Sequence, residues 1–262
     1  MPTVNHTRPE APRDALTGKV ALVTGASSGL GRAVAELLHR RGATVLGVAR
    51  DASALASAMS DITGDPSDNR YFAADIGSSE ACADAVAACV ARFGGLDLLI
   101  NVAGAHTLRH SHSVTDEEWA DDLAVNLNGP FYLSRAAIPH LLERRGNIVN
   151  VASIAGVQGQ AYSAGYCAAK HALIGLTRAL AVEYSGSTLR VNAVCPGGMT
   201  TPLVAGFTFP EGVDFDLVLR SAAPRGLMRP EDVAALICFL ASDDAAAIHG
   251  SVHLADNGKT AG

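Results

Sequence analysis

A tyrosine and a lysine four residues apart are the side chains of this sequence best suited to moving a proton. Tyr166 and Lys170 lie in the run YCAAK, and on a helix this spacing places both on one face, one turn apart. A phenol has an ordinary pKa of about 10, which makes it a poor acid–base group at neutral pH. A nearby ammonium favours the phenolate. The pair therefore predicts an acid–base site in which Lys170 lowers the pKa of Tyr166.

A serine upstream of this pair lies where a sheet would present it to a ligand. Ser153 follows the apolar run 147–152, which is typical of a buried strand, so its hydroxyl would stand at the carboxyl end of that strand. Without this serine, the pair would fit equally well an exposed lysine beside a half-buried tyrosine. The three residues together favour a site at the carboxyl edge of a sheet.

A glycine-rich run near the N-terminus has the composition of a phosphate-binding turn. The residues TGASSGLG, at 24–31, follow an apolar run and precede a helical pattern. Glycines allow a tight turn and a close approach of the backbone to a pyrophosphate, and the start of a helix offers free N–H groups to that anion. Glycines also serve ordinary turns, but the position between strand and helix favours dinucleotide binding.

These candidate sites depend on short apolar runs that alternate with helical patterns along the chain. The apolar runs are typical of strands, and they lie at 19–24, 44–48, 71–74, 96–100, 147–152, 190–194 and 251–254. The helical patterns lie near 29–41, 51–63, 79–93, 115–143, 162–185 and 230–241. The alternation predicts an α/β fold with a single doubly wound parallel sheet, helices on both faces, and ligands at the carboxyl ends of the strands.

The sequence divides into a tail and one domain. Residues 1–15 contain three prolines and several charges and predict a flexible N-terminal tail, whereas residues 16–262 predict a single domain. Within that domain, the segment 198–229 interrupts the alternation with three prolines and three phenylalanines. A long insertion of this kind is often a lid or a binding loop, so we expect a lid here.

The composition excludes several classes of protein. Of the 262 residues, 48% are hydrophobic, which is too many for a disordered chain, and the net charge of −6 argues against a nucleic-acid partner. The charge-free stretches contain prolines or many polar and glycine residues, so we expect no membrane span. Five cysteines without metal-site spacing argue against a disulfide framework. With no signal-peptide pattern, these features lead us to expect a cytoplasmic protein.

The motifs occur in the order typical of one enzyme family. The chain resembles a single-domain short-chain dehydrogenase/reductase, with a Rossmann-like fold, from about residue 16 to its C-terminus. The matching pieces are TGASSGLG (24–31), Asp75, NVAG (101–104), VNLNG (125–129), Ser153, YCAAK (166–170), PGGMTTP (196–202) and DNGKTAG (256–262).

The resemblance implies a role for each residue that matches the family's motifs. Tyr166 would protonate a carbonyl oxygen during reduction, or take the proton during alcohol oxidation. Ser153 would hold and polarise the substrate oxygen, Lys170 would lower the Tyr166 pKa and bind the nicotinamide ribose, and Asn126 would keep an ordered water that links Lys170 to solvent. The implied cofactor contacts are Gly25, Ser27, Ser28, Gly29, Leu30 and Gly31 around the pyrophosphate, Arg50 at the adenosine ribose, Asp75 and Ile76 at the adenine, Asn101, Ala103 and Gly104 along the cofactor, Pro196, Gly197, Met199 and Thr201 at the nicotinamide end, and Tyr166 and Lys170 themselves.

The end of the second predicted strand bears on which dinucleotide binds. An acidic residue there would bind the ribose of NAD(H), whereas an arginine would accommodate the extra phosphate of NADP(H). Ala49 stands at that position, followed by Arg50 and then Asp51. We therefore predict NADP(H), with Arg50 as the reader of the phosphate. NAD(H) remains the alternative, because Ser28 replaces a basic residue common in NADP-preferring relatives and Asp51 could reach the ribose.

Three histidines follow the fourth predicted strand. His106, His110 and His112 could suggest a metal site, but the surrounding threonine, arginine and serine indicate a solvated loop, and we predict no metal. One of these histidines could instead face the mouth of the substrate site.

These observations lead to a prediction of function. We expect an oxidoreductase that interconverts a ketone and a secondary alcohol, on a small-molecule substrate that is partly hydrophobic. The alternatives are a dinucleotide-sensing regulator without turnover and an epimerase or dehydratase on the same fold. The resemblance also implies a homodimer or homotetramer built on the helices near 115–143 and 162–185. The apolar side chains predicted to line the lid are Leu203, Val204, Phe207, Phe209, Phe215 and Leu217.

Overall fold

A seven-stranded parallel sheet forms the centre of the computed structural model, which describes residues 15–65, 67 and 70–261. The strands lie side by side in the order β3-β2-β1-β4-β5-β6-β7. This arrangement confirms the predicted doubly wound α/β fold, while residues 1–14 of the predicted tail lie outside the described residues. The strands are β1 (Val20–Thr24), β2 (Thr44–Ala49), β3 (Tyr71–Ala73), β4 (Leu98–Asn101), β5 (Asn147–Val151), β6 (Arg190–Pro196) and β7 (Val252–Ala255).

Helices cover both faces of the sheet and bury hydrophobic cores against it. On one face α1 packs against α9, and on the other α3 packs against α5, with α6 beside β6. Among the described residues no helix is both long and apolar enough to cross a membrane. The helices are α1 (Gly29–Arg40), α2 (Ala52–Thr63), α3 (Ser79–Phe93), α4 (Asp116–Leu123), α5 (Gly129–Glu143), α6 (Ala164–Glu183), α7 (Pro202–Ala205), α8 (Phe215–Leu219) and α9 (Pro230–Ala241).

The order of the strands fixes where a ligand can bind. The chain runs from β1 to β2 in one direction across the sheet and from β4 to β5 in the other, so the loops after β1 and β4 separate and leave a crevice between them. The buried hydroxyl of Thr24, at the end of β1, accepts hydrogen bonds from the amides of Val102 (2.9 Å) and Ala103 (3.0 Å). The two loops that border the crevice are thereby held at a fixed distance.

The helix predicted near 115–143 is interrupted. It divides into α4 and α5, with a five-residue π-helical segment, Ala124–Asn128, between them. The amide of Gly129 bonds to the carbonyl of Ala124, five residues back, and Pro130 has no amide to offer the carbonyl of Asn126. A missing donor thus explains why the regular hydrogen-bond pattern does not continue here.

A buried polar chain joins β4, β5 and α6. The side-chain amide of Asn101 donates to Asn150 (2.8 Å), and Asn150 donates to the hydroxyl of Thr177 (3.0 Å), which in turn donates to the carbonyl of Leu173 (2.8 Å). Asn101, Asn150 and Thr177 are all buried. Because buried polar groups are costly without partners, this chain fixes α6 against the sheet.

Substitution of Asn150 tests this role. In Asn150→Ala the Asn101 amide loses its acceptor, and we expect the free energy of unfolding to fall by about 1–3 kcal/mol. Urea denaturation measures the change. Ser57→Ala, at an exposed polar side chain of α2, serves as the control and should change stability by at most about 0.5 kcal/mol. Equal effects of the two substitutions would contradict the role of the polar chain.

Candidate active site

One cavity of about 620 Å³ opens along the carboxyl ends of the strands. The loops after β1, β2, β4, β5 and β6 and the first turns of α6 border it. The structure brings all of the predicted site residues to this cavity except Asn101 and Asn126. The predicted residues that line it are Gly25, Ser27, Ser28, Gly29, Leu30, Gly31, Arg50, Asp75, Ile76, Ala103, Gly104, Ser153, Tyr166, Lys170, Pro196, Gly197, Met199 and Thr201.

The glycine-rich turn has the geometry of a pyrophosphate cradle. Gly25 has a φ of +70° and a Cβ there would lie 3.2 Å from the Cα of Ala103. A Cβ on Gly31 would collide with the carbonyl oxygen of Gly25. Ser28, the N-cap of α1, makes no side-chain capping bond, so the amides of the first turn keep their donors for a ligand. These residues fit the pyrophosphate of a dinucleotide.

The loop after β2 separates an arginine from an aspartate. Arg50 is exposed and lines the cavity directly after the last residue of β2. The carboxylate of Asp51 instead accepts a hydrogen bond from the amide of Ala54 (2.9 Å) as the N-cap of α2. Asp51 is therefore engaged in capping α2, whereas the guanidinium of Arg50 has no such capping role in this loop.

The serine, tyrosine and lysine meet on one wall of the cavity. Ser153 lies two residues after the end of β5, and α6 presents Tyr166 and Lys170 from its first two turns. The ammonium of Lys170 donates to the carbonyl of Val151 (3.0 Å) and lies 5.6 Å from the centre of the Tyr166 ring. The hydroxyl of Ser153 accepts a bond from the amide of Ala155 (3.1 Å). The predicted grouping of these three side chains is therefore present.

The electrostatics of this wall differ from the sequence-based expectation. Burial raises the pKa of Tyr166 to about 12, and a hydrogen bond with Ser153 offsets that shift only in part. Burial also lowers the pKa of Lys170 to about 8. The pKa of Tyr166 therefore moves upward in this structure instead of downward, because the loss of solvation at the buried phenol dominates.

The two remaining predicted residues lie outside the cavity lining. Asn101 belongs to the buried polar chain described above. The amide nitrogen of Asn126 donates to the carbonyls of Ala105 (2.8 Å) and Asp122 (2.9 Å), and its oxygen accepts from the amide of Ala105 (3.2 Å). Asn126 is thus a fully buried brace of the loop after β4, and one lone pair of its oxygen remains for a further partner.

The structure shows which of the three histidines of the sequence analysis lies at the cavity. His106 lines the cavity, and its ring stacks on that of Tyr166, with centres 4.0 Å apart and planes inclined by 9°. The signal in the sequence was its place two residues after NVAG, in a loop at the carboxyl edge of the sheet. His110 packs near His112 (5.5 Å) instead. The described residues contain no cluster of three or more histidine, cysteine, aspartate or glutamate side chains that could hold a metal ion.

The segment 198–229 contributes a different apolar set from the one predicted. It contains the short helices α7 and α8. Phe209 and Phe215 pack on each other, with 5.1 Å between their ring centres, and neither lines the cavity. Leu217 does not line the cavity either. Of the side chains predicted for the lid, those that line the cavity are Leu203, Val204 and Phe207, and the segment adds Val218, Leu219 and Leu227.

Comparison with known proteins identifies the family. The model of the family described as enoyl-(acyl carrier protein) reductase matches residues 25–260. The chain is 38% identical over 250 residues to the D-threitol dehydrogenase of Mycolicibacterium smegmatis, with 94% of each chain covered. It is 39% identical over 254 residues to the cis-4-hydroxycyclohexanecarboxylate dehydrogenase of Sinomonas cyclohexanicum, with 95% of this chain and 99% of the relative covered.

Comparison with a solved structure supports the same family. A crystal structure described as that of a short-chain alcohol dehydrogenase from Sinorhizobium meliloti superposes with a TM-score of 0.85 and 36% identity, over 95% of this chain and 99% of that one. Family members use NAD(P)(H). The chain belongs to the short-chain dehydrogenase/reductase family and is an oxidoreductase that acts on alcohol or carbonyl groups.

Proposed function

We propose that this protein is an NADP(H)-preferring oxidoreductase that interconverts a ketone and a secondary alcohol, with Tyr166 as the proton donor and acceptor. The observation that carries the proposal is the position of the phenol. Tyr166 is buried between Ser153 and Lys170 on one wall of the cavity whose other end is formed by the glycine-rich turn. Several relatives, among them the cyclohexanol dehydrogenase of Acinetobacter and the meso-2,3-butanediol dehydrogenase of Serratia marcescens, have names that fit this reaction.

The proton-transfer step follows from the chemistry of the wall. A nicotinamide dinucleotide, when bound, supplies the hydride for reduction or accepts it in oxidation. Tyr166 gives its phenolic proton to the carbonyl oxygen, and its raised pKa keeps that proton in place until it is needed. Ser153 donates a hydrogen bond to the same oxygen and so stabilises the negative charge that develops on it. In alcohol oxidation, Tyr166 takes the proton back.

Lys170 and Asn126 support this step from behind the phenol. With a pKa of about 8, Lys170 remains largely cationic at neutral pH, and its bond to Val151 holds the ammonium at the wall of the cavity, where it would bind the ribose of the cofactor. Asn126 holds the loop after β4 and has one lone pair left for the ordered water that would link Lys170 to solvent.

The remaining proposals concern the domain and its assembly. We place the catalytic domain at residues 16–262 and a lid over the substrate at 198–229, where apolar side chains line the cavity. A homodimer or homotetramer would cover the exposed apolar side chains of the helices predicted to form it, which are Trp119 on α4, Phe131 on α5 and Val182 on α6.

Removal of the phenolic hydroxyl tests the proton donor. Tyr166→Phe keeps the ring and its stacking but has no proton to give, so kcat/KM for carbonyl reduction should fall by about 10²–10⁴-fold. The assay follows the absorbance of the reduced cofactor with a panel of ketones and secondary alcohols. Tyr132→Phe, which makes the same change on α5 outside the cavity lining, is the matched control.

Two outcomes would contradict the proposed reaction. Near-normal activity of Tyr166→Phe would exclude the phenol as the proton donor. Binding of NADPH by the native protein without turnover of any compound in the panel would favour a dinucleotide-sensing regulator instead.

The choice of cofactor depends on Arg50. A guanidinium binds a phosphate with charge-assisted hydrogen bonds, so the native protein should have a higher kcat/KM with NADPH than with NADH. In Arg50→Ala the ratio of the two values should fall by about 10–100-fold. Arg40→Ala, at an exposed arginine that pairs with Glu36 (3.7 Å) near the end of α1, should leave the ratio as it is. A native preference for NADH would overturn the assignment.

The raised pKa of Tyr166 predicts opposite pH profiles for the two directions. Reduction needs the neutral phenol, which persists well above neutral pH, and a charged Lys170, whose pKa is about 8, so its kcat/KM should fall as the pH rises from about 7 to 9. Oxidation needs a phenol that has lost its proton, so its kcat/KM should rise with pH over the same range. Thermal unfolding at each pH controls for stability. An oxidation profile that levels off near pH 7 would show that the phenol is already ionised there.

A further inference from the structure

The imidazole of His106 stacks on the ring of Tyr166, and the proposed reaction does not use it. Its ring lies parallel to that of Tyr166 (4.0 Å between centres) and meets the edge of Phe207 (5.0 Å). A face-to-face stack places the imidazole one ring thickness from the residue proposed to protonate the substrate oxygen. A substituent on a carbon next to the reacting carbon would therefore approach His106.

The hydrogen bonds of Ser163 fix which nitrogen of the ring carries the proton. The hydroxyl of Ser163 donates its single hydrogen to the carbonyl of Ala161 (3.0 Å). It is also 2.8 Å from Nε2 of His106, so at that contact the hydroxyl oxygen can only accept and Nε2 must donate. Ser163 is free for this bond because it caps α6 without a side-chain capping interaction.

The ring is neutral and its second nitrogen is an acceptor. Burial, together with the positive charges of Lys170 and Arg109, lowers the pKa of His106 to about 4. With the proton on Nε2, a neutral imidazole carries a lone pair on Nδ1. Among the described residues, no donor forms a hydrogen bond with Nδ1, and Nδ1 is not sealed from the cavity, which His106 lines.

The surroundings of this lone pair are largely apolar. Phe207 lies against the ring, and Leu203, Val204 and Val218 line the same cavity from the lid segment. An acceptor in an apolar environment discriminates strongly between ligands, because a ligand without a donor leaves it unpaired at a free-energy cost. His106 is therefore placed to select for a hydroxyl on the substrate.

We propose that Nδ1 of His106 accepts a hydrogen bond from a second hydroxyl of the substrate, next to the reacting carbon, so that the preferred substrates are 1,2-diols and the corresponding α-hydroxyketones. The assignment rests on the proposed function and adds the substrate class to it. His106 is a specificity-determining residue in this assignment, and Ser163 is a positioning residue that holds the required tautomer.

A pair of ketones that differ by one hydroxyl tests the proposal. 3-Hydroxybutan-2-one and butan-2-one share a carbon skeleton, and the assay measures kcat/KM for each with NADPH and, separately, with NADH. We expect the native protein to favour the hydroxyketone by at least about tenfold. His106→Phe keeps an aromatic ring to stack on Tyr166 but has no acceptor, so the ratio of the two values should fall to near one.

Ser163→Ala provides a second variant that leaves the His106 ring in place. Without the Ser163 acceptor, Nε2 no longer holds its proton, the other tautomer gains population, and the preference for the hydroxyketone should fall by about two- to fivefold. This substitution lies outside the cavity lining, so it tests the tautomer even if His106→Phe does not fold. Thermal unfolding shows which variants are folded.

The outcomes separate this assignment from the proposed function. Equal kcat/KM values for the two ketones in the native protein, or an unchanged ratio in both variants, would overturn the role of His106 and leave the proposed reaction intact. A parallel loss for both ketones in His106→Phe would make His106 a support of Tyr166 and would also overturn the assignment. Absence of turnover with any carbonyl compound would overturn the proposed function, and this assignment with it.

Discussion

The burial of a phenol and an ammonium side by side at the edge of the sheet is the constraint on which the site depends. Tyr166 and Lys170 are both buried, and burial disfavours the charged form of each. The pKa of Tyr166 is therefore raised and the pKa of Lys170 is lowered. The bond from Lys170 to the carbonyl of Val151 compensates part of the loss and ties α6 to the end of β5. The contact that ties α6 to β5 therefore also holds the helix that carries the proposed proton donor.

The rest of the fold makes this burial possible. A parallel sheet covered on both faces places the ends of β1, β4 and β5 at one edge, and the bonds of Thr24 hold the loops of β1 and β4 together. The hydrogen-bonded chain of Asn101, Asn150 and Thr177 then fixes the position of α6 relative to β4 and β5. Polar side chains inside strands that otherwise consist of apolar residues thus serve to locate the helix that carries the phenol.

Much of this arrangement could be predicted, because it follows from local pattern. The strand runs, the glycine-rich turn and the one-turn spacing of Tyr166 and Lys170 each depend on residues close in sequence. The interruption at Ala124–Asn128 was missed because the helical pattern continues through it, although Pro130 lacks the amide that would bond to the carbonyl of Asn126. The predicted set of lid residues was only partly correct, because Phe209 and Phe215 pack on each other and do not line the cavity.

The sequence by itself determined the order of strands and helices, the family, and the identity of the residues at the proposed site, because motif and periodicity are carried by the chain alone. Only the tertiary structure decided the direction of the Tyr166 pKa shift and the stacking of His106 on the phenol. The first depends on the loss of solvation in the folded protein, and the second on a contact between the loop after β4 and α6, which lie far apart in the chain. Neither is encoded in spacing, so each required the folded molecule.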